Sequence, residues 1–355
     1  MSYKILAINP GSTSTKAALY EDKEILFDMT LRHSAEELSK YSHVIEQLEW
    51  RKELILDALK ERDFDVANLS AVVGRGGLVK PIEGGVYEVN DTLVEDTKHA
   101  VREHASNLGA LIARSIADQI GVQSFIADPV VVDELEPVAR VSGIPELPRT
   151  SMFHALNSKA IAHAYADDQG KEYEALNLIV VHMGGGVSVS IHKQGRIVDT
   201  TNALSGDGAF SPERAGRVEP MALVDLCFSG KHSHEEIQKM VIGHGGLMAL
   251  METNSMLDVV NASLDGDAHA KLVFDAFCYN VAKDVGAMST VVCGKVDAIL
   301  ITGGIAYNEH ITKSLTEKCE FIAPVVIYAG ENELGSLSGS VLKVLQGTAT
   351  AKVYA

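Results

Sequence analysis

The sequence predicts an α/β protein built on an internal duplication, and three observations carry that expectation. A strand, a small-residue turn and a second strand occur together twice, about 170 residues apart. Apolar, β-branched runs repeatedly end in glycine and are followed by helical pattern. Long stretches with helix caps at their starts alternate with these runs, and no low-complexity segment interrupts them.

The first copy opens with the strand Tyr3–Ala7 and enters Ile8-Asn9-Pro10-Gly11-Ser12-Thr13-Ser14-Thr15-Lys16. It leaves through Ala17–Tyr20, turns at Glu21-Asp22-Lys23 and continues into Glu24–Phe27. Backbone N–H groups, hydroxyls and a terminal lysine suit an anion such as phosphate. The run is not a P-loop, which needs Gly-x-x-x-x-Gly-Lys-Ser/Thr opening a helix; the apolar residues that follow predict a β-hairpin instead. A phosphate loop and a plain hydrophilic turn both fit the run taken alone. The second copy runs from Asn177–Val181 through His182-Met183-Gly184-Gly185-Gly186 to Val187–Ile191, then turns at 193–196 into Ile197-Val198-Asp199.

Further elements follow each copy. In the first half, Leu69–Val73 is a strand ending at Gly74-Arg75-Gly76-Gly77. Asp91 reads as the cap of a helix through about Gln119 with Gly121 after it, although Gly109 weakens an unbroken helix. Val122–Ala127 is a strand ending at Asp128-Pro129. In the second half, Asp267 caps a long helix to about Val292, and Ala298–Thr302 ends in Gly303-Gly304. The Pro145–Pro148 segment predicts the boundary. Domains are expected at 1–150 and 151–330, with a C-terminal helix at about 331–355 returning to the first.

A chain of 355 residues that is 46% hydrophobic can bury a sizeable core. Its net charge of -17, without a lysine–arginine run, excludes a duplex-binding surface, so any phosphate must be held by local geometry. The four cysteines show no CxxC spacing and read as reduced thiols. No apolar run reaches the ~18 residues of a membrane span, and the first residues lead straight into a strand. A cytoplasmic protein is expected.

Lys16, Arg75, His154, the 182–186 loop and Arg214 each carry a plausible phosphate-handling group, and each singly has an ordinary structural reading. Together with the motifs around them, they resemble the acetate kinase family of short-chain carboxylate kinases along essentially the whole chain. Asn9-Pro10-Gly11-Ser12-Thr13-Ser14-Thr15-Lys16 resembles that family's Asn-x-Gly-Ser-Ser-Ser-x-Lys. His182–Gly186 resembles its His-Leu-Gly-Asn-Gly, and Asp199-Thr200-Thr201 its Asp-Thr-Ser. Pro212–Gly216 is similar to its Thr-Arg-Ser-Gly, and Gly303–Asn308 to its adenosine loop Gly-Gly-Ile-Gly-Glu-Asn. Pro10, Gly74–Gly77 and Phe210–Arg214 resemble the branch acting on butyrate.

The resemblance implies two duplicated ribonuclease-H-like domains, of the actin and sugar-kinase type, around a nucleotide-binding cleft. It implies transfer of the γ-phosphoryl of ATP to butyrate, giving butyryl phosphate and ADP, with Mg²⁺. Because a carboxylate is already ionised at neutral pH, such chemistry needs positioning and charge neutralisation, not a general base. By resemblance, Arg75 and Arg214 hold the carboxylate and the transferred phosphoryl, and His154 hydrogen-bonds that phosphoryl. His104 matches a family histidine with one residue deleted nearby, and Asp128 matches an aspartate acting through magnesium. A helix cap is the ordinary structural reading of Asp128. Asn9, Ser12, Ser14, Lys16, His182, Gly184, Gly185, Gly186, Gly303, Gly304 and Asn308 are the implied nucleotide contacts. Homo-oligomers are the family's habit, and neither nucleic acid nor membrane is implied.

Three departures stand out. Gly185 replaces an asparagine, Tyr307 replaces a glutamate, and Asn332 aligns with the family's metal-associated glutamate, leaving Glu331 and Glu333 as metal candidates. Phe153 is expected to wall the acyl pocket. Gly206 falls where acetate-specific relatives carry proline, which predicts room for a longer chain. Other short-chain or branched acids, and a nucleotide-driven switch ATPase of the same fold, are the competing readings.

Overall fold

In the computed structural model, which describes residues 2–100, 103–204 and 206–355, the chain packs as two compact units. One comprises 2–132 with 332–355 and the other 133–331. The Pro145–Pro148 segment lies within the second unit.

The first unit carries strands β1 (Lys4–Pro10), β2 (Ser14–Glu21), β3 (Glu24–Arg32), β4 (Ala71–Arg75), β5 (Val86–Glu88) and β6 (Gln123–Ala127), in the order β3-β2-β1-β4-β6-β5. The β1–β2–β3 meander is antiparallel, β4 and β6 run parallel to β1, and β5 closes the edge antiparallel. The second unit carries β7 (Asn177–Met183), β8 (Val187–Lys193), β9 (Arg196–Thr200), β10 (Ala298–Gly303) and β11 (Val325–Ala329). Read from its outer antiparallel strand, its order is β9-β8-β7-β10-β11, the same topology without the extra edge strand. The duplication reaches fine detail. Each meander has one register shift in its second pair, at Leu19/Tyr20 and at Ile191/His192. The turns that follow hold Asp22 and Gln194 at φ 53° and 50°.

Alternation assigns the faces. In the first unit Leu6, Ile8, Ala17 and Leu19 pack on the helices Leu48–Lys60 and Asn107–Ile120. The odd-numbered face of β1 meets the C-terminal helix Glu333–Leu345 through Leu337, Val341 and Leu342. In the second unit Ile179, Val181 and Met183 pack on the helices Met256–Leu264 and Ala268–Val291, and Leu178 and Val180 on the helix Ala155–Asp168. Asp267 caps the long helix as expected, accepting from the His269 and Ala270 N–H groups.

The helix expected from 91 to about 119 is two helices, Asp91–Lys98 and Asn107–Ile120, and residues 101 and 102 within that span lie outside the described residues. Asn90, not Asp91, is its cap, with Oδ1 accepting from the Leu93 N–H at 2.9 Å. The second helix starts anew after a tight turn in which Asn107 N–H donates to the His104 carbonyl at 2.9 Å and His104 Nδ1 meets Ser106 Oγ at 2.7 Å. Gly109 does not break the helix. A Cβ there would stand 2.2 Å from the Arg75 carbonyl, and one at Gly74 would stand 2.0 Å from the Gly109 carbonyl. The helix and β4 touch backbone to backbone, which only glycine permits.

Cys227 and Cys293 are exposed thiols, while burial raises the Cys278 and Cys319 thiols to about 11. No helix among the described residues is long and apolar enough to cross a membrane.

Candidate active site

In the first unit the candidate groups gather at the carboxyl ends of the parallel strands. Asn9 lies near the end of β1, opposite Lys16 of β2, so both side chains share the face that holds the C-terminal helix. Ser14 lies on that face by alternation, and Ser12 is exposed at the turn. The Gly11 N–H closes the turn onto the Ser14 carbonyl at 2.7 Å. Arg75 ends β4. Its Nη1 donates to Asn9 Oδ1 at 3.3 Å and stands 3.2 Å from Glu333 Oε1. Asn9 Nδ2 donates to the other Glu333 oxygen. Asn332 caps the C-terminal helix by accepting from the Gly335 N–H, which sets Glu333 in its first turn. Asn9, Arg75 and Glu333 are therefore one cluster.

Asp128 follows β6 with φ 38° and starts no helix. Its carboxylate accepts from the Gly85 N–H at 2.7 Å. For His104, desolvation first and the Arg75 charge second lower the imidazole pKa.

The opposite face of the turn holds residues that sequence reasoning missed. Thr15 points inward, where its hydroxyl meets Arg51 Nη1 at 3.1 Å and His33 Nε2 at 2.9 Å. Arg51 Nη1 also donates to the Gly11 carbonyl at 2.8 Å. A signal was present. Arg51 occupies the i+3 place of an apolar stripe, Leu48, Ile55 and Leu59, where a charge is out of pattern. His33 is buried 4.7 Å from the Trp50 ring. Burial first, then the Arg51 charge, push its pKa from 6.5 to about 4, with Glu37 opposing. A histidine held neutral in the fold stabilises above its unfolded pKa. That stability is lost as pH falls from 6.5 toward 4. His33→Gln is expected to flatten the dependence of thermal stability on pH in this window. Parallel Tm–pH curves for variant and wild type would remove His33 as the cause.

In the second unit His182, near the end of β7, lies opposite Ser188 and faces the helix Ala155–Asp168. Its Nδ1 meets Asn157 Oδ1 at 2.8 Å, and its Nε2 stands 3.1 Å from Glu331 Oε1. The His154 ring stacks on it, with centroids 3.7 Å apart and planes 10° from parallel, and His154 Nδ1 meets Ser188 Oγ at 2.9 Å. The glycine loop follows, closed by the Gly184 N–H on the Gly186 carbonyl at 2.9 Å. Arg214 lies across it and donates to the Ala203 carbonyl. A Cβ on Gly186 would stand only 1.8 Å from Arg214 Nη1, so the missing side chain is the seat of the guanidinium. Burial lowers the Arg214 pKa, and Glu213 opposes. Ser211 Oγ donates to the Gly185 carbonyl at 3.0 Å.

Two further unpredicted residues brace the Arg214 segment. Arg149 donates to Asp199 at 2.9 Å and Asp207 at 3.0 Å. Asp284, whose carboxyl pKa is raised chiefly by burial, accepts from Arg217 at 2.7 Å and from the Ala209 N–H at 2.9 Å. Neither has a local motif, because their partners lie far away in sequence.

At the end of β10, Gly303 has φ 91° and passes so close to β7 that a Cβ would be 2.3 Å from the Met183 carbonyl. Gly304 opens the short turn to Tyr307. Asn308 spends its Oδ1 capping the helix Glu309–Cys319. Tyr307, in place of the family's glutamate, is 71% exposed. Phe153 is buried beside His154. At Gly206 a Cβ would stand 2.0 Å from the Asn202 carbonyl, so turn geometry alone demands glycine. A Gly206→Pro variant would break this turn whatever acid the protein uses.

Among the described residues no group of three or more metal-ligating side chains converges.

Comparison with known proteins identifies the family. Residues 147–328 match the acetokinase family model. Butyrate kinase 2 of Clostridium acetobutylicum is 54% identical over 355 residues, 100% of both chains. A probable butyrate kinase of Clostridium botulinum is 53% identical, again over the whole of both chains. The crystal structure of Porphyromonas gingivalis acetate kinase superposes with a TM-score of 0.79 at 17% identity, covering 97% of this chain and 100% of that one, which shows the two-part actin and sugar-kinase type of fold. With its duplicated sheets, its paired turns and these full-length relatives, the chain belongs to the acetokinase family.

Proposed function

We propose that this protein is a reversible butyrate kinase, transferring the γ-phosphoryl of ATP to butyrate by in-line displacement. The observation that carries the phosphoryl-transfer reading is the Arg214 guanidinium seated against Gly186, in the glycine loop that follows the His154–His182 stack. The choice of butyrate is supported by the full-length identity to proteins of that name. It is not supported by Gly206, whose turn requires glycine in any case.

The nucleotide phosphates are assigned to Ser12, Ser14 and Lys16, with Asn9 orienting Arg75, and to the N–H groups of Gly185 and Gly186 with His182, while Gly184 closes that loop with its own N–H. The nucleoside is assigned to Gly303, Gly304 and Asn308. Arg75 and Arg214 neutralise the carboxylate and the moving phosphoryl; their planar forks bind oxygens in pairs. His154 donates to the phosphoryl, held in orientation by Ser188 and by stacking on His182. His104 lies near the charge of Arg75 and is assigned to the same side of the reaction. Phe153 backs His154 as the apolar wall for the alkyl tail.

Mg²⁺ bound with the nucleotide would neutralise phosphate charge. Asp128 and Glu331 are its better candidate ligands. Glu333 is already paired with Arg75, whose charge opposes a second cation. The exposed Met221, Val224 and Phe228 support assembly as a homo-oligomer, and we place the enzyme in the cytoplasm.

The reading is tested by incubating the protein with Mg-ATP, butyrate and hydroxylamine. Butyryl hydroxamate should form in step with ADP. Phosphate release without hydroxamate would move the protein to the switch-ATPase class. Equal kcat/KM for acetate and butyrate would remove the chain-length assignment.

A further inference from the structure

We propose that Arg51 is a positioning residue and the buried counter-charge of the first phosphate turn. The inference rests on the reading that residues 11–15 receive nucleotide phosphates. Arg51 is 1% exposed, and among the described residues every partner of its guanidinium is a neutral oxygen. Nη1 donates to the carbonyls of Gly11 at 2.8 Å and Ser14 at 3.3 Å, and Nη2 reaches the Ser12 carbonyl at 3.4 Å. Nε and Nη2 both bind Gln47 Oε1, at 3.0 and 2.7 Å.

Two consequences follow. In a trans peptide the C=O and the following N–H point in opposite directions. Drawing the Gly11 and Ser12 carbonyls inward therefore turns the Ser12 and Thr13 N–H groups outward. Successive outward N–H groups form an anion-binding concavity. The second consequence is electrostatic. A buried cation without a carboxylate partner is costly to hold. An anion on the outer side of the turn relieves that cost, because little water lies between to screen it. Arg51 thus couples the shape of the turn to its occupancy, and no contact with the nucleotide is needed.

The test uses the full-length protein and Mg-ADP, with affinity read by calorimetry and stability by thermal denaturation. Arg51→Met and Arg51→Gln should each bind ADP about tenfold or more weakly, with a smaller ADP-induced rise in Tm. The KM for butyrate should stay within about twofold. Arg51→Lys, which keeps the charge, should bind ADP better than Arg51→Gln. A folded Met or Gln variant with ADP affinity within about twofold of wild type overturns the proposal. So does a lysine variant no better than glutamine. If the Met variant does not fold, the Gln and Lys variants carry the comparison. The outcomes separate from those of the catalytic reading. Wild type that binds ADP but makes no butyryl hydroxamate removes the kinase assignment and leaves Arg51 standing; unaffected ADP binding in the variants does the reverse.

Discussion

Gly186→Ala should fold with near wild-type stability and lose about 10²–10³ in kcat, the usual consequence of displacing one oriented charge-stabilising donor. The atom that the new methyl meets at 1.8 Å is Arg214 Nη1, the end of a flexible side chain. The guanidinium therefore moves, and the Ala203 carbonyl, 3.2 Å from the methyl, gives by a few tenths of an ångström. Arg214→Ala should lose a similar factor, since both changes remove one group from one place. The double variant should be little worse than either single one, because the effects of residues acting as a unit do not add. ADP affinity should remain within a few-fold in all three. Steady-state kinetics with butyrate, beside ADP calorimetry, provides the check. Collapse of ADP binding in step with kcat would make Arg214 a nucleotide anchor and not a transition-state group. An additive double variant would mean that Gly186 acts through something other than Arg214.

Gly109→Ala should be strongly destabilising, costing about 3 kcal/mol or more, at the upper end of overpacking changes. The methyl would meet the Arg75 carbonyl at 2.2 Å, and backbone cannot rotate away as a side chain can. In an exposed helix the same change would stabilise by ~1 kcal/mol through propensity, so the sign of the effect is itself diagnostic. Relief requires the helix and β4 to separate, which shifts Arg75 relative to Asn9 and Glu333. Activity should therefore fall even at temperatures where the variant is folded. Urea denaturation monitored by circular dichroism, with kcat measured below the transition, tests both halves. A variant as stable as wild type would show that helix and strand do not touch here.

Much of this was legible in advance because it is local. Strands alternate or run apolar, turns need glycine, and capping residues announce helices. The Asn9–Lys16 hairpin, the His182–Gly186 loop, the strand ending at Arg75 and the helix capped by Asp267 all depend on neighbours within a few residues. The duplication could be seen because both copies keep the same local grammar, down to the turn after the second strand. The single helix expected from 91 failed for a tertiary reason. Its pattern is helical throughout, yet His104 and Ser106 form a turn inside it. Gly109, which looked like a weakness, is the point of closest approach to β4.

What the residue order alone established is the class of fold, the two strand–turn–strand units, the family, and the types of residue available at their turns. Three-dimensional packing decided how those residues are held. It seated Arg214 in the space that Gly186 leaves, stacked His154 on His182, and joined Asn9 and Arg75 to Glu333 across more than 250 residues. It also put a buried guanidinium, Arg51, behind the first turn. The physical reason is the range of each interaction. Backbone propensity and turn chemistry act between neighbours and leave a periodic trace. A hydrogen bond or a steric exclusion between distant segments depends on where two surfaces meet, and no period in the chain records it.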